Sequence, residues 1–191
     1  MGDTPLVSII INCYNGEKYL RDAIDSIYDQ TYQNWEIIFW DNQSTDKSAE
    51  IFKSYNDVRL KYFYAPCHTV LYEARNYAID QAKGEFLAFL DVDDWWLSEK
   101  LEKQIPLFQN LDVGFVCSNY RIVNEKNNSR KLYRKKKIPS GNVTNSLMLD
   151  YSVGLLTLVV KRSAFNSLSF GCDPRFHIIG DMDLVMRLSY N

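Results

Sequence analysis

Two hydrophobic periods alternate along the chain. Val7-Ser8-Ile9-Ile10-Ile11 is an almost unbroken β-branched run, the pattern of a strand covered on both faces, as in a parallel sheet. Tyr14-Asn15-Gly16 breaks it, and from Glu17 to Gln30 the apolar positions Tyr19, Leu20, Ala23, Ile24, Ile27 and Tyr28 return at helical spacing. The unit then repeats. Trp35 to Trp40 predicts a second strand ending at Asp41, and Ser44-Thr45-Asp46 supplies N-cap candidates for a helix from Lys47 to Tyr55. Leu60 to Ala65 predicts a third strand, followed by a helix from Tyr72 to Lys83. That helix stops at Gly84, a residue suited to the left-handed position after a helix end. Phe86 to Leu90 is a fourth apolar strand, ending at Asp91.

Strands alternating with helices of about a dozen residues imply right-handed crossovers and an α/β fold: a Rossmann-like, mostly parallel open sheet with helices on both faces. Past the fourth strand the rhythm changes. Ser98 is placed to cap a helix through Asn110 that Pro106 kinks or shortens. Val113 to Asn119 and Tyr120 to Asn124 read as strands, and Asn127-Asn128 with Arg130 to Lys137 as an exposed basic hairpin or loop. Leu155 to Val160 reads as a further strand, and a last helix runs from Asp181. No repeat or low-complexity linker interrupts residues 1–191. One domain is expected, with a nucleotide-binding half over 1–97 and an irregular second half over 98–191.

Composition narrows the function classes. With 191 residues, 46% hydrophobic and 24% charged, the chain is ordinary globular protein rather than a disordered or fibrous one. A net charge of −2 argues against a nucleic-acid partner. No apolar stretch approaches the length of a membrane span, and Met1-Gly2-Asp3-Thr4-Pro5 lacks a basic leader region; the expected location is cytoplasmic. Cys13, Cys67, Cys117 and Cys172 form no CxxC pair, and His68 and His177 are isolated, so neither zinc nor a disulfide framework is expected.

The chemistry lies at the strand ends. In open α/β sheets, ligands bind beyond the carboxyl ends of the strands, and here Asn12 and Tyr14 follow the first strand, Asp41 the second and Asp91-Val92-Asp93-Asp94 the fourth. A single carboxylate in such a place can equally cap a helix or brace a turn. Three acids in four residues between an apolar strand and Trp95-Trp96 repel one another unless solvated or bridged by a cation, and hard oxygen ligands favour Mg²⁺ or Mn²⁺. Neither GxGxxG nor GxxxxGK[ST] follows the first strand, which leaves dehydrogenases and P-loop kinases unsupported. A metal holding the phosphates of a nucleoside diphosphate is the reading that remains.

At this point the chain resembles the family-2 inverting glycosyltransferases of the GT-A fold. The resemblance is carried by Val7 to Asn15, by Trp40-Asp41-Asn42-Gln43-Ser44-Thr45-Asp46, by Glu73-Ala74-Arg75-Asn76-Tyr77-Ala78 and by Leu90-Asp91-Val92-Asp93-Asp94-Trp95, the last resembling the DxD motif. It implies that Asn12 and Tyr14 line the nucleotide pocket, that Asp41 accepts a hydrogen bond from the base, usually uracil, and that Arg75 lies near the nucleotide or its phosphates. It further implies that Asp91 reaches the ribose or the metal shell and that Asp93 ligates Mn²⁺ or Mg²⁺. Ile179-Gly180-Asp181-Met182-Asp183 resembles the late acidic motif, which makes Asp181 the expected catalytic base; an aspartate there also suits the start of a helix. Three positions depart from the pattern: Gly180 where many relatives carry glutamate, Asn12 where proline or threonine is common, and Cys67-His68 where glycine is usual.

The implied activity is metal-dependent inverting transfer of a hexosyl or N-acetylhexosaminyl group from a nucleotide-sugar, most often UDP-linked. The acceptor is a saccharide or lipid-linked hydroxyl in polysaccharide biosynthesis. The alternative is a non-catalytic nucleotide-binding module that keeps the fold. Relatives continue past the late acidic motif, so an incomplete acceptor side over 98–191 is expected. The basic run Arg130 to Lys137 is suited to peripheral contact with an anionic leaflet.

Overall fold

The computed structural model describes residues 4–190, so the leader reading of Met1 to Asp3 and the terminal Asn191 lie outside the described residues. The first half alternates as its hydrophobic pattern demands: β1 (Val7–Cys13), α1 (Leu20–Tyr28), β2 (Trp35–Asp41), α2 (Ser48–Lys53), β3 (Leu60–Tyr64), α3 (Leu71–Gln81) and β4 (Phe86–Phe89). β3, β2, β1 and β4 lie side by side in that order, all parallel. Both faces of the central strands are covered, which is why β1 reads as a nearly continuous apolar run. Val7, Ile9 and Ile11 pack on one face with Leu20, Ile24 and Ile27 of α1. Ile10 packs on the other with Ala74 and Ala78 of α3.

Gly84 does not take the left-handed position expected of it; Gly141 is the glycine with φ +84°. α3 instead ends where Glu36 Oε1 accepts the Lys83 amide at 2.8 Å, and Ser8 Oγ, itself donating to Glu36, accepts the Gly84 amide at 2.7 Å. The chain passes so close to β1 that a Cβ on residue 84 would lie 2.6 Å from Leu6 O and Ser8 N. Close approach, not turn conformation, is what requires glycine here.

The second half departs further from expectation. α4 (Lys100–Gln104) gives way to a 3₁₀ turn over Ile105–Gln109 that contains Pro106, consistent with the shortening that proline imposes. β5 is only Phe115–Val116. Beyond it, the Asn119 side chain binds both the amide and the carbonyl of Arg134, diverting the chain into a separate antiparallel hairpin, β6 (Arg121–Asn124) and β7 (Ser129–Leu132). The strand expected from Leu155 begins as a 3₁₀ turn over Leu155–Thr157, because both the amide and the hydroxyl of Thr157 bond back to Gly154 O. β8 is Val159–Lys161, antiparallel to both β4 and β5, which completes a six-stranded sheet ordered β3-β2-β1-β4-β8-β5. Two short helices, α5 (Thr144–Leu149) and α6 (Arg162–Asn166), fall outside the sequence expectation. α7 (Gly180–Tyr190) is the expected last helix; Leu184, Val185 and Leu188 dock it on the same face of the sheet as α3.

Candidate functional site

The carboxyl ends of β1 and β2, the loop before α3 and the segment before α7 enclose a cavity of about 280 Å³. Asn12 projects from β1 with the parity of Ser8 and Ile10, toward the α3 face. Only 8% of it is exposed, and neither its amide nitrogen nor its carbonyl oxygen has a partner. An unpaired buried amide costs about 1–3 kcal/mol, so the Asn12 side chain adds nothing to the fold that an apolar residue would not. Tyr14, 55% exposed, leans over the rim with its ring 4.4 Å from that of His68. His68 Nδ1 lies 2.8 Å from Asn42 O; a carbonyl can only accept, so Nδ1 carries the proton and a neutral ring leaves Nε2 as an acceptor.

The loops after β1 and β2 are tied together. Asn15 and Gln43 both adopt left-handed φ, 55° and 69°, tolerated because Asn15 Oδ1 accepts the Thr45 amide and Asn15 N donates to Ser44 Oγ. Asp41 is fully buried behind this seam; Ser44 N and Tyr62 Oη donate to its two oxygens, each at 2.7 Å. It therefore does not line the cavity, whereas Asn42, its neighbour, does. The Asn42 side chain also fixes the loop before α3 through the amide and carbonyl of Thr69.

Arg75 is 2% exposed and donates through Nη2 to Asp91 Oδ1 at 3.0 Å. Burial pushes the Asp91 carboxyl up; Arg75 pulls it down, and Asp93 and Asp181 push it up again. Asp94 is raised to about 6, by burial first and then by Asp91 and Asp93. The acidic turn is thus a crowd of like charges with one buried cation beside it. Among the described residues no three acidic, histidine or cysteine side chains form a ready-made metal cage. An exposed Asp93 beside Asp91 does fit an ion that takes one or two carboxylates and completes its shell with phosphate and water.

α7 brings the late acids to the same place. Tyr72 Oη lies 3.4 Å from Ile178 O and 3.3 Å from the amide of Asp181. Its ring fills the space a side chain at 180 would need, since a Cβ there would sit 2.5 Å from the ring. Asp183 is paired with Arg187 at 2.6 Å, and Arg187 also donates to Phe170 O and Gly171 O. Asp181, half-buried, has no hydrogen-bond or ion-pair partner for its carboxylate among the described residues, yet stands near enough to Asp91, Tyr72 and Tyr120 to raise all three.

Asn12 and Tyr14 thus meet in the cavity wall, Arg75, Asp91, Asp93 and Asp94 form a cluster of their own that Asp181 joins from α7, and Asp41 stands behind the Ser44 turn. Sequence reading missed Asn42, His68, Thr69 and Tyr72. His68 carried a signal, because Cys67-His68 departs from the family pattern; Asn42 was masked by the acid before it.

Comparison with known proteins agrees with this fold. The chain is 36% identical over 168 residues, 88% of its length, to the UDP-Glc:alpha-D-GlcNAc-diphosphoundecaprenol beta-1,3-glucosyltransferase WfgD of Escherichia coli, and covers 65% of that protein. Among solved structures, S. aureus TarS 1-349 superposes with a TM-score of 0.83 at 23% identity, covering 97% of this chain and 55% of that one. The mannosyltransferase PcManGT from Pyrobaculum calidifontis, in complex with GDP-Man and Mn²⁺, superposes with a TM-score of 0.67 at 18% identity, covering 91% and 49%. These neighbours share the GT-A fold. The model of Glycosyl transferase family 2 matches residues 8–165, from β1 to α6, and this chain belongs to that family.

Proposed function

We propose that this chain transfers a sugar with inversion from a nucleoside diphosphate sugar, UDP-linked, to a hydroxyl of a saccharide or lipid-linked acceptor. One observation carries the reading: Asp181, the carboxylate of the late acidic motif without a partner among the described residues, stands within electrostatic reach of the Asp91–Asp94 turn. Asp183 is spent on Arg187 and is not available for the same task. TarS has also been solved with UDP-GlcNAc, and WfgD is named for a UDP-Glc donor and a diphosphoundecaprenol acceptor, which supports a UDP donor and a lipid-linked acceptor here.

In this reading the unpaired Asn12 amide and the Tyr14 ring receive the nucleotide, Asn42 and His68 close its far side, and Asp41 supports the base pocket by holding the Ser44 turn. Arg75 keeps Asp91 oriented and offsets the donor's charge. Asp93, with Asp91, would hold Mn²⁺ or Mg²⁺, which when bound neutralises charge on the departing diphosphate. Asp181 takes the proton from the acceptor hydroxyl as its oxygen bonds to the anomeric carbon, and the bond to UDP breaks with its electron pair on the diphosphate. The configuration therefore inverts in one displacement.

The test is Asp181→Asn. Transfer, read as UDP release, should fall by about 100-fold or more, while UDP affinity stays near wild type. Retained turnover, or lost UDP binding, contradicts the assignment.

The exposed hairpin and the Lys135–Lys137 run that follows it suit contact with an anionic leaflet, although Arg134 within that run is tied to Asp150 at 2.7 Å. Reversing Lys135, Lys136 and Lys137 to glutamate should lower co-sedimentation with anionic vesicles; unchanged sedimentation refutes the contact.

A further inference from the structure

A second cavity, of about 410 Å³, opens between α4, the Trp95-Trp96 turn and the hairpin. Its floor is polar in an unusual way. Lys100 Nζ is buried 4.0 Å above the Trp96 ring with no hydrogen-bond partner among the described residues, and Gln104, one helical turn on, donates to Thr157 O at 2.9 Å but leaves its Oε1 buried and, among the same residues, unpaired. Burial alone, with no carboxylate to compensate, drags the Lys100 ammonium down to about 7. At the rim stand Arg121 and Arg130, neither with an acidic partner among the described residues, while Lys103 is paired with Glu99. The walls are apolar: Trp95 and Leu97 on one side, Leu132 on the other, all exposed.

The cavity adjoins the reaction centre. Trp95 and Trp96 directly follow Asp94, and Tyr120, which lines the cavity, is raised by burial and Tyr133 with smaller contributions from Asp94 and Asp181. A buried cation and a buried acceptor side by side match an anionic oxygen next to a hydroxyl or amide of a sugar. The exposed apolar walls match a hydrocarbon chain, and the free arginines match further phosphate charge.

We propose that this cavity binds the head of an anionic glycolipid acceptor: its phosphate at Lys100, its sugar at Gln104 and the start of its hydrocarbon tail between Trp95, Leu97 and Leu132. The site rests on the transferase reading only for the role of its ligand, because the lipid can be tested without donor or metal.

The probe is farnesyl diphosphate, titrated into the full chain by calorimetry with chelator present, so that no divalent ion links its phosphates to the acidic turn. Wild type should bind it, whereas inorganic pyrophosphate and farnesol should each bind at least about tenfold more weakly, because each lacks one half of the match. Lys100→Met should lose at least about tenfold in farnesyl diphosphate affinity. Its UDP affinity should be unchanged and its melting temperature at neutral pH higher, since it removes an uncompensated buried cation; misfolding cannot then explain the loss. Equal farnesyl diphosphate affinity in wild type and Lys100→Met overturns the site, as does pyrophosphate binding as tightly as the lipid. Wild type that binds farnesyl diphosphate but not UDP refutes the donor reading and leaves the lipid site supported.

Discussion

Asn12 and Asp94 are placed where the fold alone would not choose them. Asn12 sits under the cavity with both polar atoms unpaired, so Asn12→Leu should raise unfolding stability by about 1 kcal/mol while UDP affinity falls. Denaturant unfolding and UDP titration of the same sample check both halves. Asp94 is held at about 6, above the ordinary carboxylate value of 3.8. The folded state therefore binds its proton more tightly than the unfolded chain does, and the ionised form costs stability above about pH 6. Asp94→Asn should be more stable than wild type at pH 7.5, with the difference closing as pH falls through 6 toward 4. A difference independent of pH across that window would refute the assignment. Both residues stand in recognisable motifs. Their strain is legible only in three dimensions, because a sequence shows which groups are polar but not which lack partners. Asp41 illustrates the converse, since its position after β2 marks it for the site and only the packing of Tyr62 and Ser44 against it shows that each of its oxygens already accepts a hydrogen bond within the fold.

At the scale of elements, two glycines set how closely neighbouring segments approach, one at the sheet and one between α7 and α3. Gly84→Ala would press a methyl against Leu6 O and Ser8 N, backbone atoms of the entry to β1 that cannot yield. A loss of about 2–3 kcal/mol is expected by denaturant unfolding. Gly180→Ala presses instead on the Tyr72 ring, and about 1–2 kcal/mol should be lost, most of it recovered in the Gly180→Ala, Tyr72→Leu double variant. The pair also accounts for glycine at position 180: Tyr72 occupies the volume a side chain would need and its hydroxyl meets the amide of Asp181. The regular elements of the first half follow from periodicity, because each buries a whole stripe or face. β5, the turn at Leu155 and helices α5 and α6 do not. They are short, and single side chains such as Asn119 and Thr157 decide their course by bonding to backbone nearby.

Over the whole molecule, donor binding and folding should be linked. Saturating UDP with Mn²⁺, at about 100 times its dissociation constant, should add about 2.7 kcal/mol to unfolding stability; a chelator should remove most of that gain, and a gain unaffected by chelator would deny the metal a place in the donor site. Among the described residues no helix is long and apolar enough to cross a membrane. The chain spans about 65% of the relatives' length. What the sequence by itself determined is the parallel half of the sheet, the order of the strand ends and the set of acids gathered there, because hydrophobic period and motif spacing are local properties. Only the tertiary structure decided which acid is free. Asp181 and Asp183 are equivalent in type and two residues apart, but helical geometry turns Asp183 onto Arg187 and leaves Asp181 facing the acidic turn. The second cavity, too, exists only where α4 and a distant hairpin meet, a contact no local pattern encodes.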